Sequence, residues 1–388
     1  MVSNNNFFEE KKSWSKYKDN ILNYYLSPYI PKIQSLQHST FIIDCFAGSG
    51  KFKDGELGSP MIISIKIQDF ISKNPINNKI NLLCIEPVYH DLLKENLKNF
   101  KFANVLNSTF EESIDIIKEK TVSNNIFLYI DPFGPKTLNF NNLKNIKDYS
   151  KKSVELLMNF NSKGFIREGC RIKKIDCADL IDTEENKLIS SLQSSEENWD
   201  AIANGNYWQT ILEDTISKRI SFVEAEDIFI NEYTKKLRTI FKYVFNIPIY
   251  KNLAHCPEYR LFFATDNKHG FKLMVDTMNK FWNDMSQKDS QLLDYFFPTL
   301  DMYDDLPDIT AFIIEKLKES NHYILLEDLI YEMVKKYSIH YSVKDYVNKF
   351  KEIEESLIIT RFPNTTKTGK LSKAWDFTKN KILVKLKQ

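Results

Sequence analysis

Phe41-Ile-Ile-Asp-Cys-Phe-Ala-Gly-Ser-Gly50 reads as a buried strand emptying into a glycine turn. Phe41 to Ile43 is a short apolar, β-branched run, and Asp44 ends it with a carboxylate. Gly48 and Gly50 let the backbone turn sharply and approach a ligand closely, which is how a doubly wound sheet grips a nucleoside. A bare G-x-G is a weak signal by itself, so its meaning depends on the chain around it.

Downstream, Ser59 is a plausible N-cap with Pro60 at the first helical position, and Met61 to Phe70 supplies a periodic apolar face. The polar stretch Lys51 to Leu57 would lie over the ligand. Lys79 to Ile85 reads as a second buried strand stopping at Glu86-Pro87. A carboxylate at that tip is placed to accept hydrogen bonds from both ribose hydroxyls of a nucleoside. The third glycine of G-x-G-x-x-G is missing, which argues against a pyrophosphate turn. Asn104 to Leu106 is a short strand ending at Asn107-Ser108, side chains that suit either an adenine edge or a plain turn.

Asn125 to Ile130 is the fourth strand and opens into Asp131-Pro132-Phe133-Gly134. An aspartate at the carboxyl end of a central parallel strand projects into the ligand crevice of such sheets, and proline fixes the loop behind it. Val154 to Phe160 is strand five. Residues 165 to 245 read as a helical insertion marked by Trp199 and Tyr207-Trp208. Pro248 to Leu253 and Tyr259 to Thr265 would close the sheet as a hairpin about His255-Cys-Pro-Glu258, with Gly270 to Met285 a last helix on the sheet. Ahead of all this, residues 8 to 36 carry Trp14, Tyr17, Ile21, Tyr24, Tyr25 and Tyr29 at helical spacing, as one or two helices covering the sheet.

Near Pro307 the character changes. Ile309 to Leu317, Leu325 to Val334 and Val343 to Ile353 are amphipathic helices, and Leu357 to Arg361 and Ala374 to Phe377 read as strands about the loop 363 to 370. Three helices and a two-stranded ribbon is the order of a winged helix. Within Ser356 to Gln388 eight Lys or Arg residues face Asp376 alone, a local net charge of +7 (8 − 1) that favours phosphate contact through Arg361, Lys367, Lys370 and Lys373.

Lys plus Arg, 53, nearly balances Asp plus Glu, 52, so any basic surface is local. At 388 residues two domains are expected, here 1 to 290 and 304 to 388. The five cysteines are scattered and read as reduced thiols; Cys170, Cys177, Cys256 and His255 match no zinc spacing, so no metal is expected. The polar N-terminus and the absence of an ~18-residue apolar run lead to the expectation of a cytoplasmic protein.

With these motifs in hand, the sequence resembles the three-Cys-motif partner protein family, through residues 41 to 50, Gly58-Ser59-Pro60, Glu86, Asp131-Pro132-Phe133-Gly134 and the strand end containing Asn159. The resemblance implies a Rossmann-like class I methyltransferase sheet with a helical insertion, plus a C-terminal winged helix. It implies S-adenosylmethionine as cofactor, with Asp44, Phe46, Ala47, Gly48 and Gly50 about the methionine part, Glu86 at the ribose and Asn107 and Ser108 at the adenine. It also implies a partner that bears three cysteines and looks like a radical S-adenosylmethionine enzyme. Asp131 to Gly134 looks like the loop of amino-group methyltransferases, and more closely like the Asp-Pro-Phe-Gly loop of transfer-RNA guanine methyltransferases. Gly134 stands where adenine-type enzymes place an aromatic. The expected reaction is methylation of an exocyclic amine of a DNA or RNA base; the alternative is a non-catalytic adapter that delivers nucleic acid to the partner.

Overall fold

The computed structural model describes residues 13–74, 79–132, 134–176, 194–217, 219–250, 256–286, 308–366 and 368–387. Phe133, Cys177, His255 and Lys367 lie outside these described residues. The chain divides after Asp266 into two compact units.

In the first unit, mainly apolar runs make the inner strands. β4 (Asn125–Ile130) and β5 (Val154–Phe160) are buried at every position, as strands covered on both faces must be. With β1 (Thr40–Asp44), β2 (Ile80–Ile85), β3 (Ala103–Leu106), β6 (Tyr243–Ile249) and β7 (Tyr259–Thr265) they form a sheet in the order β3-β2-β1-β4-β5-β7-β6. β1 to β5 are parallel, and β7 runs antiparallel between β5 and β6. The result is a mostly parallel, Rossmann-like sheet. The chain winds outward from β1 to β3, then returns to start again at β4, so the strand order reverses between β1 and β4.

Helices cover both faces. On one side lie α1 (Ser13–Gln34) and α2 (Ser59–Lys73); Tyr25 and Tyr29 of α1 pack on Phe127 at centroid distances of 5.5 and 5.3 Å. α1 is a single helix despite Pro28 and Pro31 within it. α3 (His90–Leu97) follows β2. On the other side are α4 (Ile114–Thr121), α5 (Phe140–Tyr149), α6 (Ser162–Lys173), α7 (Glu196–Ala203), α8 (Tyr207–Ile216) and α9 (Phe222–Leu237). Residues of the expected insertion are part of the main core: Phe165, Trp199, Trp208 and Phe229 share one cluster with Ile43, Leu128 and Phe262. Both indoles are satisfied, Trp199 Nε1 by Phe165 O at 3.1 Å and Trp208 Nε1 by Asp200 Oδ1 at 2.7 Å.

Several boundaries differ from the sequence reading. β6 spans Tyr243–Ile249, not 248 to 253, because the proline taken as a strand start instead sits inside the edge strand, with Pro248 opposite Arg260. Gly58, not Ser59, occupies the N-cap of α2, and the Ser59 hydroxyl turns away to Asp44. The helix expected on the sheet after Gly270 is α10 (Lys268–Ser286), which belongs to the second unit. There its Asn279 side chain donates to His340 O at 3.0 Å and its Asp276 accepts from Val343 N at 2.9 Å.

The second unit continues with α11 (Ile309–Ser320), β8 (Ile324–Leu325), α12 (Leu326–Tyr337), α13 (Val343–Glu352), β9 (Leu357–Phe362) and β10 (Lys381–Leu386). The strands form an antiparallel sheet in the order β8-β10-β9. The partner of β9 is therefore Lys381–Leu386 and not Ala374 to Phe377. That stretch is drawn into a turn in which Asp376 accepts from Thr378 Oγ1 at 2.6 Å and from Thr378 N at 3.1 Å. Among the described residues no helix is long and apolar enough to cross a membrane.

Candidate functional site

The carboxyl ends of β1, β2, β4 and β5 deliver Asp44, Glu86, Asp131 and Asn159 to one rim of the first unit's sheet. The start of antiparallel β7 brings Tyr259 to the same rim. Open α/β sheets bind ligands at this rim, where the strand order reverses.

After β1 the backbone turns through Gly48 and Gly50, whose φ angles are +60° and +79°. Gly50 has a second reason to be glycine, since a Cβ there would lie 2.9 Å from Leu93 Cδ1. The turn is fixed by backbone donors: Ala47 N to Ile85 O at 3.1 Å and Gly58 N to Gly50 O at 2.9 Å. Glu86 closes it. Its Oε2 accepts from Gly48 N at 2.8 Å, while Oε1 accepts from Val88 N at 2.7 Å and Tyr89 N at 2.8 Å. A carboxylate offers about four acceptor positions, so Oε2 keeps one open. That is room for one hydroxyl, where the sequence reading had assigned two.

Asp44 is fully buried, accepting from Ser59 Oγ at 2.7 Å and Phe46 N at 3.4 Å. It braces the turn from behind. Burial raises its pKa to about 7, against the lowering effect of those two donors, and the nearby charges of Asp131 and Asp19 raise it further. Phe46 is half-buried against Phe110, with centroids 5.7 Å apart. Asn107 is exposed, and the Ser108 hydroxyl bonds locally to Ser113 Oγ.

Asp131 is held on all sides. Lys18 Nζ donates to Oδ1 and Oδ2, each at 2.7 Å, Asn159 Nδ2 donates to Oδ1 at 2.8 Å, and Tyr129 OH approaches Oδ2 at 3.4 Å. The Lys18 side chain is 7% exposed and its ammonium lies 5.4 Å from the Tyr259 ring centroid. Burial pushes the Tyr129 phenol well above its ordinary range, and the charges of Asp131, Asp19 and Asp44 add to the rise. Asn159 is 1% exposed, and its Oδ1 has no hydrogen-bond partner. Pro132 is buried; Gly134 is extended, with φ 179° and open space where a Cβ would be. Phe133, expected beside the target base, lies outside the described residues.

Lys18 and Asp19 are missing from the sequence reading, which names Tyr259 only as the start of a strand. Their signal was present in α1, where Lys18 falls on the same helical stripe as Leu22, Tyr25 and Tyr29 and so carries a charge into a buried face.

In the second unit, Arg361 is tied down. Its Nε donates to Ala374 O at 2.9 Å, its guanidinium lies 5.2 Å from the Trp375 centroid, and Glu354 accepts at 3.4 Å. Lys370 and Lys373 are exposed, and Lys367 lies outside the described residues. Among the described residues no group of His, Cys, Asp and Glu could hold a metal ion.

No family model and no curated protein matches the chain. Solved structures similar to it include a putative methyltransferase, yhhF, from Escherichia coli, at 17% identity over 35% of this chain and 66% of that one, TM-score 0.23. The plantazolicin methyltransferase BpumL in complex with SAH is similar at 11% identity, covering 65% of this chain and 86% of that one, TM-score 0.28. A SAM-dependent methyltransferase from Aquifex aeolicus is similar at 11% identity, covering 66% and 99%, TM-score 0.23.

Proposed function

We propose that the first unit binds S-adenosylmethionine at the rim between β1 and β4 and transfers its methyl group to an exocyclic amine of a nucleic-acid base, beside a three-Cys-motif partner of radical S-adenosylmethionine type. The observation that carries the reading is the 2.8 Å bond from Gly48 N to Glu86 Oε2. It joins the glycine turn of one strand to the acid of the next and leaves Glu86 Oε2 one open acceptor position, which suits a nucleoside hydroxyl. A second feature suits the substrate amine: the buried, unpartnered Asn159 Oδ1 beside Asp131 is an acceptor awaiting a donor. When bound, the cofactor supplies an electrophilic methyl on a sulfonium. Glu86 and the turn from Phe46 to Gly50 would hold it, Asp44 would keep that turn in place, and Asp131 and Asn159 would orient the amine. The helix order and antiparallel ribbon of the second unit support a winged helix as the element that engages nucleic acid.

A second reading, the non-catalytic adapter, is favoured by one observation. Lys18, Asn159 and Tyr129 already fill the four acceptor positions of Asp131, so a substrate amine must displace one of them. Single-turnover transfer of labelled methyl to mixed RNA and DNA separates the two. The enzyme reading expects transfer by wild type and a loss of about 10²-fold in Asp131→Ala at saturating cofactor. No transfer by wild type, with or without the partner, would leave the adapter.

A further inference from the structure

In the second unit, α10, α13 and the turn 373 to 377 enclose a cleft of about 340 Å³. Lys272, Lys344, Lys351 and Lys373 stand on its walls, with Trp375 and Asp376 between them. Several helix lysines elsewhere in this unit pair with acids on their own helix, Lys316 with Glu319 at 2.7 Å and Lys349 with Glu352 at 3.0 Å. Three of the four cleft lysines have no such acid. Lys344 and Lys373 are exposed and form no ion pair among the described residues, and Lys351 reaches only the neutral Asn348 Oδ1 at 3.3 Å. Lys272 pairs with Asp276. Asp376 bonds within its own turn, to Thr378 and to Lys379 at 3.6 Å, and the Lys272 charge also lies near it. In a chain of net charge +1, positive charge left unpaired on one concave surface is a local attraction for anions.

The spacing of the lysines suits an extended anion. Lys344 and Lys351 are seven residues apart on α13, two turns or about 10 Å along the axis, a separation that one phosphate does not bridge and successive phosphates of a nucleic-acid strand do. Trp375 offers no stacking platform, since it is 8% exposed with Arg361 over its ring at 5.2 Å and Phe350 at 6.1 Å. Contact is therefore with backbone phosphates and not with bases.

We propose that this cleft, and not the ribbon loop around Lys370, is where the second unit holds a nucleic-acid backbone, through Lys344, Lys351 and Lys373. This rests on the reading that the target is a nucleic acid. The test is anisotropy of a fluorescein-labelled mixed-sequence DNA duplex, and of the RNA duplex of the same sequence, titrated with full-length protein over a range of salt. Lys344→Glu/Lys351→Glu/Lys373→Glu should weaken binding about 10²-fold and flatten the slope of log affinity against log salt by about 2 to 3, whereas Lys370→Glu should stay within about threefold of wild type. All four positions are exposed, and thermal melts confirm folding of each variant. An unchanged slope in the triple variant, an equal loss in Lys370→Glu, displacement of the duplex by polyglutamate at matched charge, or no binding by wild type would each overturn the proposal. Methyl transfer measured on the same duplexes keeps the two readings apart: transfer by wild type with binding indifferent to the cleft variant discards the cleft alone.

Discussion

Lys18 Nζ stands 2.7 Å from each carboxylate oxygen of Asp131, and so ties the first helix of the chain to the end of the fourth strand. Removing one member of a buried pair leaves the other charge uncompensated, at about 3–5 kcal/mol when both are fully buried. Asp131 is 21% exposed, and solvent reaching it reduces the expected loss for Lys18→Met to about 1–3 kcal/mol. Lys18→Met combined with Asp131→Asn should recover most of that loss, because no charge is then stranded. Urea denaturation of both single variants and the double variant gives the coupling; strictly additive effects would show that the two groups do not depend on each other.

Glu86 has two tasks that one substitution can separate. Glu86→Ala strips the acceptor from three backbone N–H groups, so stability should fall by about 1–3 kcal/mol. Affinity for S-adenosylmethionine should fall about tenfold or more with it. Glu86→Gln retains one acceptor oxygen and should lose less on both counts. Calorimetry showing full cofactor affinity in a folded Glu86→Ala variant would remove this residue from the site.

Gly50 and Gly134 should respond in opposite ways to alanine. At Gly50 the left-handed φ of +79° and the 2.9 Å approach to Leu93 Cδ1 make Gly50→Ala destabilising by about 1–2 kcal/mol, and cofactor binding should weaken as the turn shifts. Gly134 is extended and open, so Gly134→Ala should fold as stably as wild type. Equal melting temperatures for all three proteins would contradict the strain assigned to Gly50.

The stability of the first unit should depend on pH through Glu155. Burial raises its carboxyl to about 7, although Tyr25 donates to it and the Lys32 charge lies near. In the unfolded chain the same group titrates at about 4.3, so between these values the folded state holds the extra proton. The stabilisation is complete below about pH 4 and is lost as pH rises through 7, at about 1 kcal/mol per pH unit or less for this one group. Asp44, raised to about 7 by its burial, acts in the same direction. Glu155→Gln should flatten the decline seen in urea midpoints between pH 5 and about 7.5. A profile as steep as that of wild type would assign the dependence elsewhere.

What the sequence disclosed follows from how each feature is encoded. β1, β2, β4 and β5 are mainly apolar runs whose carboxyl ends carry Asp44, Glu86, Asp131 and Asn159, so strand, strand end and rim could be read together. Glycines at 48 and 50 announced a turn that needs positive φ, and both adopt it. The pairing of Lys18 with Asp131 was hidden for a physical reason: the two lie 113 residues apart, and the stripe that puts Lys18 on a buried face does not say which acid it meets. The second strand of the ribbon was misplaced because Ala374 to Phe377 has strand-like composition, yet Asp376 finds its hydrogen bonds in a turn. In the same way the net charge of the C-terminal segment was legible, but not that Arg361 spends its guanidinium on Trp375 and Ala374 O.

The sheet order has a consequence for how copies of this chain behave in concentrated solution. An edge strand exposes a row of unpaired donors and acceptors that can recruit a strand from a second molecule and seed aggregation. One edge here is β3, only four residues long. The other is β6, which keeps its register with β7 while Pro248, opposite Arg260, has no N–H to offer outward. The proline that obscured the strand in the sequence is thus a gatekeeper, and the sheet is guarded against self-addition along both of its sides.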